Sequence, residues 1–254
     1  MIDFAKTKAA IVRKGKLRAV ADEDIQIDRL DDLVGLERQK SALIENTEAF
    51  LRGQGANHAL LWGEMGCGKS TLVRATFCEY ISQGLRLIEV GKNELDSLYE
   101  TLEVVRANKD FKFIIFCDDF SFEVGESALA ELKRLLEGSI QKPPSNAIFY
   151  ATSNRKHLVP ARANADEYLI ERERSREALS LADRFGLYIS FYESEQDEYF
   201  ALVDRLFGDV GDKDALHRAA RAVVSERGVR SPRTAIAFWR AYAGEFGSNL
   251  NGVK

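Results

Sequence analysis

The run Gly63-Glu64-Met65-Gly66-Cys67-Gly68-Lys69-Ser70 has the spacing G-x-x-x-x-G-K-[S/T], the pattern of a loop that cradles a polyphosphate. Glycines at 63, 66 and 68 let the backbone wrap phosphate oxygens closely. Lys69 would reach the outer phosphates, the Ser70 hydroxyl would bind magnesium, and Thr71 carries the segment into a helix. A second set of oxygens ends the stretch Phe113-Ile114-Ile115-Phe116-Cys117-Asp118-Asp119. Neighbouring carboxylates repel unless they share a cation or a proton, and a magnesium–phosphate complex supplies the cation. Asp118 then reads as the metal-side acid and Asp119 as the group that polarises an attacking water. The alternative is a strand whose acids cap the next helix.

Three further side chains fit the same chemistry. Asn154, after the apolar run Ala147 to Ala151, could hold water against the terminal phosphate, or could only form a turn. Arg184 precedes another strand, where it could neutralise charge at a neighbouring subunit's phosphates or serve a surface salt bridge. Arg233 lies in the first turn of a helix opened by Ser231 and Pro232. A cation is disfavoured at that end of the helix dipole, so a nearby anion would explain it; otherwise it is a solvated arginine.

The elements that must position these groups follow from periodicity. Ala59 to Trp62 reads as a buried strand before the glycine loop, and Leu72/Val73, Thr76/Phe77 and Tyr80/Ile81 repeat at helical spacing after it. A strand–loop–helix leaves backbone N–H groups at the positive end of the helix dipole, which favours phosphate. Strands are expected at Arg86–Val90, Phe111–Cys117, Ala147–Ala151 and Leu187–Phe191, with helices at Leu95–Ala107 and about Glu126–Glu137. Apolar strands separated by helices imply a five-stranded parallel sheet covered on both faces. After Tyr192 the strand signal stops. Three helices follow, near Glu195–Phe207, Asp212–Arg227 and Pro232–Phe246. The expected division is an N-terminal arm over 1–29, a nucleotide-binding α/β domain over 30–192 and a small helical lid over 193–254.

Composition sets the frame. The 254 residues are 45% hydrophobic and 30% charged with net charge −4, so the whole surface is no nucleic-acid footprint. Nothing resembles a membrane span, and Met1-Ile2-Asp3-Phe4 does not begin a signal peptide. Cys67, Cys78 and Cys117 lack metal spacing and point to reduced thiols in the cytoplasm, with Cys67 a candidate oxidisable switch beside phosphate. Arg13-Lys14-Gly15-Lys16-Leu17-Arg18 is a basic run that reads as a solvated arm or a nucleic-acid contact.

These elements, in this order, resemble the AAA+ ATPases from about Leu30 to Ala243. Residues 63–70 are similar to Walker A and 113–119 to Walker B, while Asn154 matches sensor 1, Arg184 the arginine finger and Arg233 sensor 2. Leu33, Val34 and Gly35 look like the segment that lines the adenine pocket. The stretches at 116–119, 150–154 and 181–187 resemble a bacterial AAA+ family of unknown function. The resemblance implies ATP and Mg2+ as ligands, a homo-oligomer such as a hexamer or partial ring, and a macromolecular partner remodelled or switched by hydrolysis.

Two departures bear on this. Walker B in most AAA+ proteins ends Asp-Glu, but here it ends Asp118-Asp119, which leaves hydrolysis open and makes Glu123 a second candidate base. Gly91-Lys92-Asn93-Glu94-Leu95 lacks the aromatic–apolar–Gly loop of protein-threading members, and the polar stretch 155–176 is either a solvated helix face or a docking insert. The implied classes are a protein-remodelling ATPase, a DNA-associated loader-type switch, or a nucleotide-binding module with little hydrolysis. A small-molecule kinase fits poorly, because the terminal helices and Arg233 would lack a purpose.

Overall fold

Alternate residues of one apolar run feed two different cores. Phe113, Ile115 and Cys117 enter one cluster of buried side chains, and Ile114 and Phe116 the other. A strand covered on both faces must be apolar at every position, which is why the run does not alternate with polar residues. In the computed structural model, residues 2–120, 136, 142–154 and 184–246 are described. The strands are β1 (Ala9–Arg13), β2 (Lys16–Val20), β3 (Ala59–Gly63), β4 (Leu85–Val90), β5 (Lys112–Cys117), β6 (Ala147–Ser153) and β7 (Leu187–Phe191). They form one seven-stranded sheet in the order β2-β1-β4-β5-β6-β3-β7.

The five expected strands, β4-β5-β6-β3-β7, pair parallel throughout. Their C-terminal ends therefore share one edge, where Gly63, Asp118 and Asn154 emerge. The sheet is wider than expected because residues in the N-terminal stretch are not a free arm. There β1 adds parallel to β4, and β2 turns back antiparallel on β1. Phe4, 1% exposed, locks this extension by packing edge-on against Phe113 at 4.8 Å.

Helix α1 (Glu37–Leu51) is an element absent from the sequence reading. Its buried stripe is only Leu43, Thr47 and Phe50, too sparse to stand out by apolar periodicity. Helices α2 (Lys69–Tyr80) and α3 (Leu98–Ala107) complete the described helices of the α/β part. The start expected at Leu95 is a 3-10 stretch, Lys92–Ser97, leading into α3. The helix expected at Glu126–Glu137 and the polar stretch 155–176 lie outside the described residues, apart from Leu136.

Helices α4 (Gln196–Phe207), α5 (Lys213–Arg227) and α6 (Pro232–Phe246) share their own apolar cluster, centred on Tyr199, Val203, Phe207, Leu216, Ala235 and Phe238. Their starts are written locally. Asp212 accepts from the Ala215 N–H at 2.9 Å, and Ser231 accepts from the Thr234 N–H at 3.2 Å. Ala235 and Phe238 are the buried apolar residues of α6, with Trp239, Tyr242 and Phe246 partly buried beside them.

At the opposite edge of the sheet, His58 Nδ1 accepts the Phe149 N–H at 3.0 Å. Burial depresses this imidazole to about 4 from the ordinary 6.5. Its folded-state value lies below its unfolded one, so the unfolded chain takes up the extra proton between the two. Stability is then fully present above about pH 6.5 and falls as the pH drops toward 4. The expected loss is on the order of 2 kcal/mol, tempered because the ring is only partly covered. Urea melts across this range check it: His58→Gln should flatten the acid limb relative to the unaltered chain.

Candidate nucleotide site

The glycine loop leaves β3 at Gly63 and enters α2 at Lys69. Close packing dictates two of the glycines. Gly63 has φ +130°, and a Cβ there would fall 1.9 Å from the Phe191 carbonyl oxygen of β7. At Gly66, φ +81°, a Cβ would sit 2.9 Å from the Cβ of Arg233. The loop is thus pinned by β7 on one side, where the Glu64 N–H donates to Phe191 O at 3.0 Å. On the other side it meets the start of α6, where the Arg233 N–H donates to Gly66 O at 3.4 Å. Helix α2 begins at Gly68 without any side-chain cap, so its first N–H groups are left to another acceptor.

Lys69 is 5% exposed, and its ammonium donates to the carbonyls of Gly63 at 2.9 Å and Glu64 at 2.7 Å. The side chain therefore braces the loop from inside, and burial lowers its proton affinity. Met65 stands exposed at the tip, while Cys67 is 2% exposed with its thiol pushed up by burial. A buried, protonated thiol is a poor nucleophile, so Cys67 does not have the character of an oxidisable switch.

Opposite the loop, the Asp118 carboxylate at the β5 end is held by two hydroxyls. Ser70 Oγ donates to Asp118 Oδ1 at 2.6 Å, and Thr152 Oγ1 donates to the same oxygen at 2.5 Å. The Thr152 hydroxyl also accepts the Asp119 N–H at 2.9 Å, and Thr152 O accepts the Phe120 N–H at 2.7 Å. Asp119 adopts φ +51°, a left-handed backbone that a non-glycine residue holds only when its neighbours impose it. The Thr152 clamp and the fully buried Phe120 impose it here. Asn154 Nδ2 then donates to Asp119 Oδ1 at 2.6 Å. Ser70, Asp118, Asp119 and Asn154 are brought together as expected. Thr152 is the hub that the sequence reading passed over, since a threonine inside an apolar strand carries no signal until its neighbours are known.

Glu89 is a second group found only in the structure. It sits on β4 opposite Phe116 of β5, and burial followed by the nearby Asp118 charge raises its carboxyl above the usual range. Glu123 lies outside the described residues.

Leu33, Val34 and Gly35 form a seam. Leu33 and Leu36 pack into the α/β core, while Val34 packs on the three-helix cluster. Helix α4 holds the seam from above: Arg205 donates to Asp31 O and pairs with Asp32 at 3.0 Å, and Gly35 lies against Glu198. Lys40 Nζ donates to Leu33 O at 2.8 Å. The segment therefore borders the loop, since Leu36 and Leu33 line Gly68.

Arg184 is placed differently. It precedes β7, whose first residue pairs with Ala59 at the start of β3. The five residues of β7 span about 16 Å, so Arg184 stands at the edge of the sheet away from this chain's own glycine loop. It is exposed there, and Asp183 before it lies outside the described residues.

The residues fit a magnesium nucleotide. Ser70 and Asp118 offer two hard oxygens within 2.6 Å of each other. That suits magnesium, which takes few protein ligands and completes its shell with phosphate and water.

The chain belongs to the family described as "Protein of unknown function (DUF815)", whose model matches residues 5–246. No curated protein matches it. Among solved structures it is similar to PCH-2 of C. elegans, at 11% identity and TM-score 0.58, over 86% of this chain and 65% of that one. It is also similar to two mutants of RuvB from Thermotoga maritima. One has 15% identity and TM-score 0.51 over 85% of this chain and 73% of that chain. The other has 14% identity and TM-score 0.50 over 86% and 73%. At such identities the likeness shows the fold alone, an α/β fold like that of RuvB and PCH-2. Among the described residues, no helix is long and apolar enough to cross a membrane.

Proposed function

We propose that this chain binds ATP with magnesium and hydrolyses it within an oligomer, using the energy to remodel or switch a macromolecular partner. The observation that carries the reading is the convergence at one sheet edge of a glycine-built loop, a buried Lys69, the hydroxyl-clamped Asp118 and the Asn154-bonded Asp119. The loop N–H groups and Lys69 bind the phosphates, and Leu33, Val34 and Gly35 receive the base between the sheet and the helical lid. Ser70 and Asp118 would hold magnesium, which would neutralise charge on the phosphates. Asp119 is the base that accepts a proton from the attacking water. Asn154, bonded to its Oδ1, orients both. Arg233 reaches the phosphates from α6, so that their charge draws the lid onto the site.

The position of Arg184 supports the oligomer. On this chain it lies far from the loop, so its charge can complete a phosphate site only on another subunit. The three cysteines, all free, suit a reducing compartment such as the cytoplasm.

Asp119→Asn tests the hydrolysis step. The amide cannot take up a proton, so turnover should fall about a hundredfold or more. Affinity for ATP, followed with a fluorescent analogue, should stay within about twofold, because Asp118 and the loop are intact. Unchanged turnover would move the base elsewhere, with Glu123 the next carboxylate to remove and Glu89 after it.

A further inference from the structure

The N-terminal hairpin carries an electrostatic conflict within its own ladder. Arg13 of β1 and Lys16 of β2 are directly opposed partners, and like charges at that spacing destabilise a hairpin. Arg18 follows on the same face of β2, about 7 Å beyond Lys16. Lys14 in the turn and Lys92 at the start of the neighbouring 3-10 stretch add two more exposed cations. Among the described residues none of these five forms an ion pair. The nearby Glu94 is already committed: both its oxygens accept turn N–H groups, those of Lys14 and Gly15, each at 2.7 Å. Lys8, toward the other end of the hairpin, is by contrast paired with Asp22 at 2.7 Å.

Other features give the cluster a direction. The Glu94 clamp fixes the turn, where Lys14 has φ +52° and Gly15 φ +68°, so the cations stand on a rigid tip rather than a loose arm. Because β1 runs parallel to β4, that tip lies at the same sheet edge as the glycine loop and the Asp118–Asp119 pair. The face holding Arg13, Lys16 and Arg18 carries no large exposed apolar side chain, whereas protein partners bury an apolar centre. Arginine and lysine at strand spacing suit successive phosphates, and a polynucleotide backbone asks for nothing else.

We propose that the β1–β2 hairpin is a docking surface for the phosphate backbone of nucleic acid, read without base specificity. It requires no nucleotide turnover, so it stands or falls separately from the ATPase. The anion relieves the repulsion between Arg13 and Lys16, and the position of the tip lets docking be felt beside the phosphate site.

The test is anisotropy of a short labelled DNA duplex against the full chain without nucleotide. The unaltered protein should bind at low salt and weaken steeply as salt rises. The triple variant Arg13→Gln, Lys16→Gln, Arg18→Gln should bind about tenfold or more weakly, with a salt slope shallower by about three. Its thermal melt should match or exceed the parent's, because the turn is held by backbone groups and the repulsion is gone. A charge-matched control, Arg218→Gln, Arg221→Gln, Arg227→Gln on α5, should bind as the parent does. Absence of binding at low salt overturns the proposal. So does equal binding by the hairpin variant, or loss confined to the α5 variant. Displacement of the duplex by polyglutamate at matched charge as readily as by unlabelled DNA also overturns it, in favour of an acidic protein partner.

Discussion

Arg184→Ala is expected to bind ATP as tightly as the unaltered chain and to hydrolyse it about a thousandfold more slowly. β7 places this residue at the opposite edge of the sheet from Gly63. Its removal should therefore leave the loop and the acids in place. If it acts on a neighbour's phosphates, specific activity of the unaltered protein should rise with protein concentration as subunits meet. A mixing experiment makes the point without relying on size measurements. Arg184→Ala keeps an intact Lys69 pocket, and Lys69→Ala keeps an intact Arg184. Each alone should be inactive, and a mixture should recover part of the turnover, because some interfaces pair the good pocket with the good arginine. Flat specific activity and no recovery at any ratio would make Arg184 a local structural residue and the protein a monomeric nucleotide binder.

Lys69→Ala should lower affinity for an ATP analogue about a hundredfold, as expected for losing two charge-assisted bonds to phosphate after allowance for those it gives up. The side chain also braces the nucleotide-free loop. The buried ammonium ties Gly63 O and Glu64 O together, and its loss leaves two carbonyls without that donor. The variant should therefore melt slightly lower even without nucleotide, by about 1–3 kcal/mol. Lys69→Arg separates the two effects: its charge remains, but the larger planar head does not fit the pocket between the two carbonyls. Analogue binding by Lys69→Ala equal to that of the parent would remove the phosphate-loop reading altogether.

The parts of this protein legible from sequence are those whose physics is local. A glycine loop needs its glycines because of its own backbone, so residues 63–70 announce themselves without knowledge of the rest. Strands buried on both faces read as mostly apolar runs, and this exposed β4 to β7 and β3 one at a time. Helix α6 was readable to the residue, because Ser231 and Pro232 define its start by short-range bonding.

Pairing between distant segments decided the remainder. The basic run at 13–18 has strand-like residues but no alternation strong enough to predict a ladder. Only the register with β4 and the Glu94 clamp turn it from an arm into a rigid sheet edge. Thr152 becomes the hub of the acid pair because β6 lies beside β5, with Cys117 opposite Ala151. Nothing in its own neighbours along the chain marks it out. Likewise the motif around Arg184 is visible in one dimension, but its distance from the site follows from β7 running parallel to β3. Sequence determined which groups can handle phosphate, since that depends on residue type and short spacing. Tertiary structure decided which of them meet within one chain and which must look outside it, since strand order sets those distances.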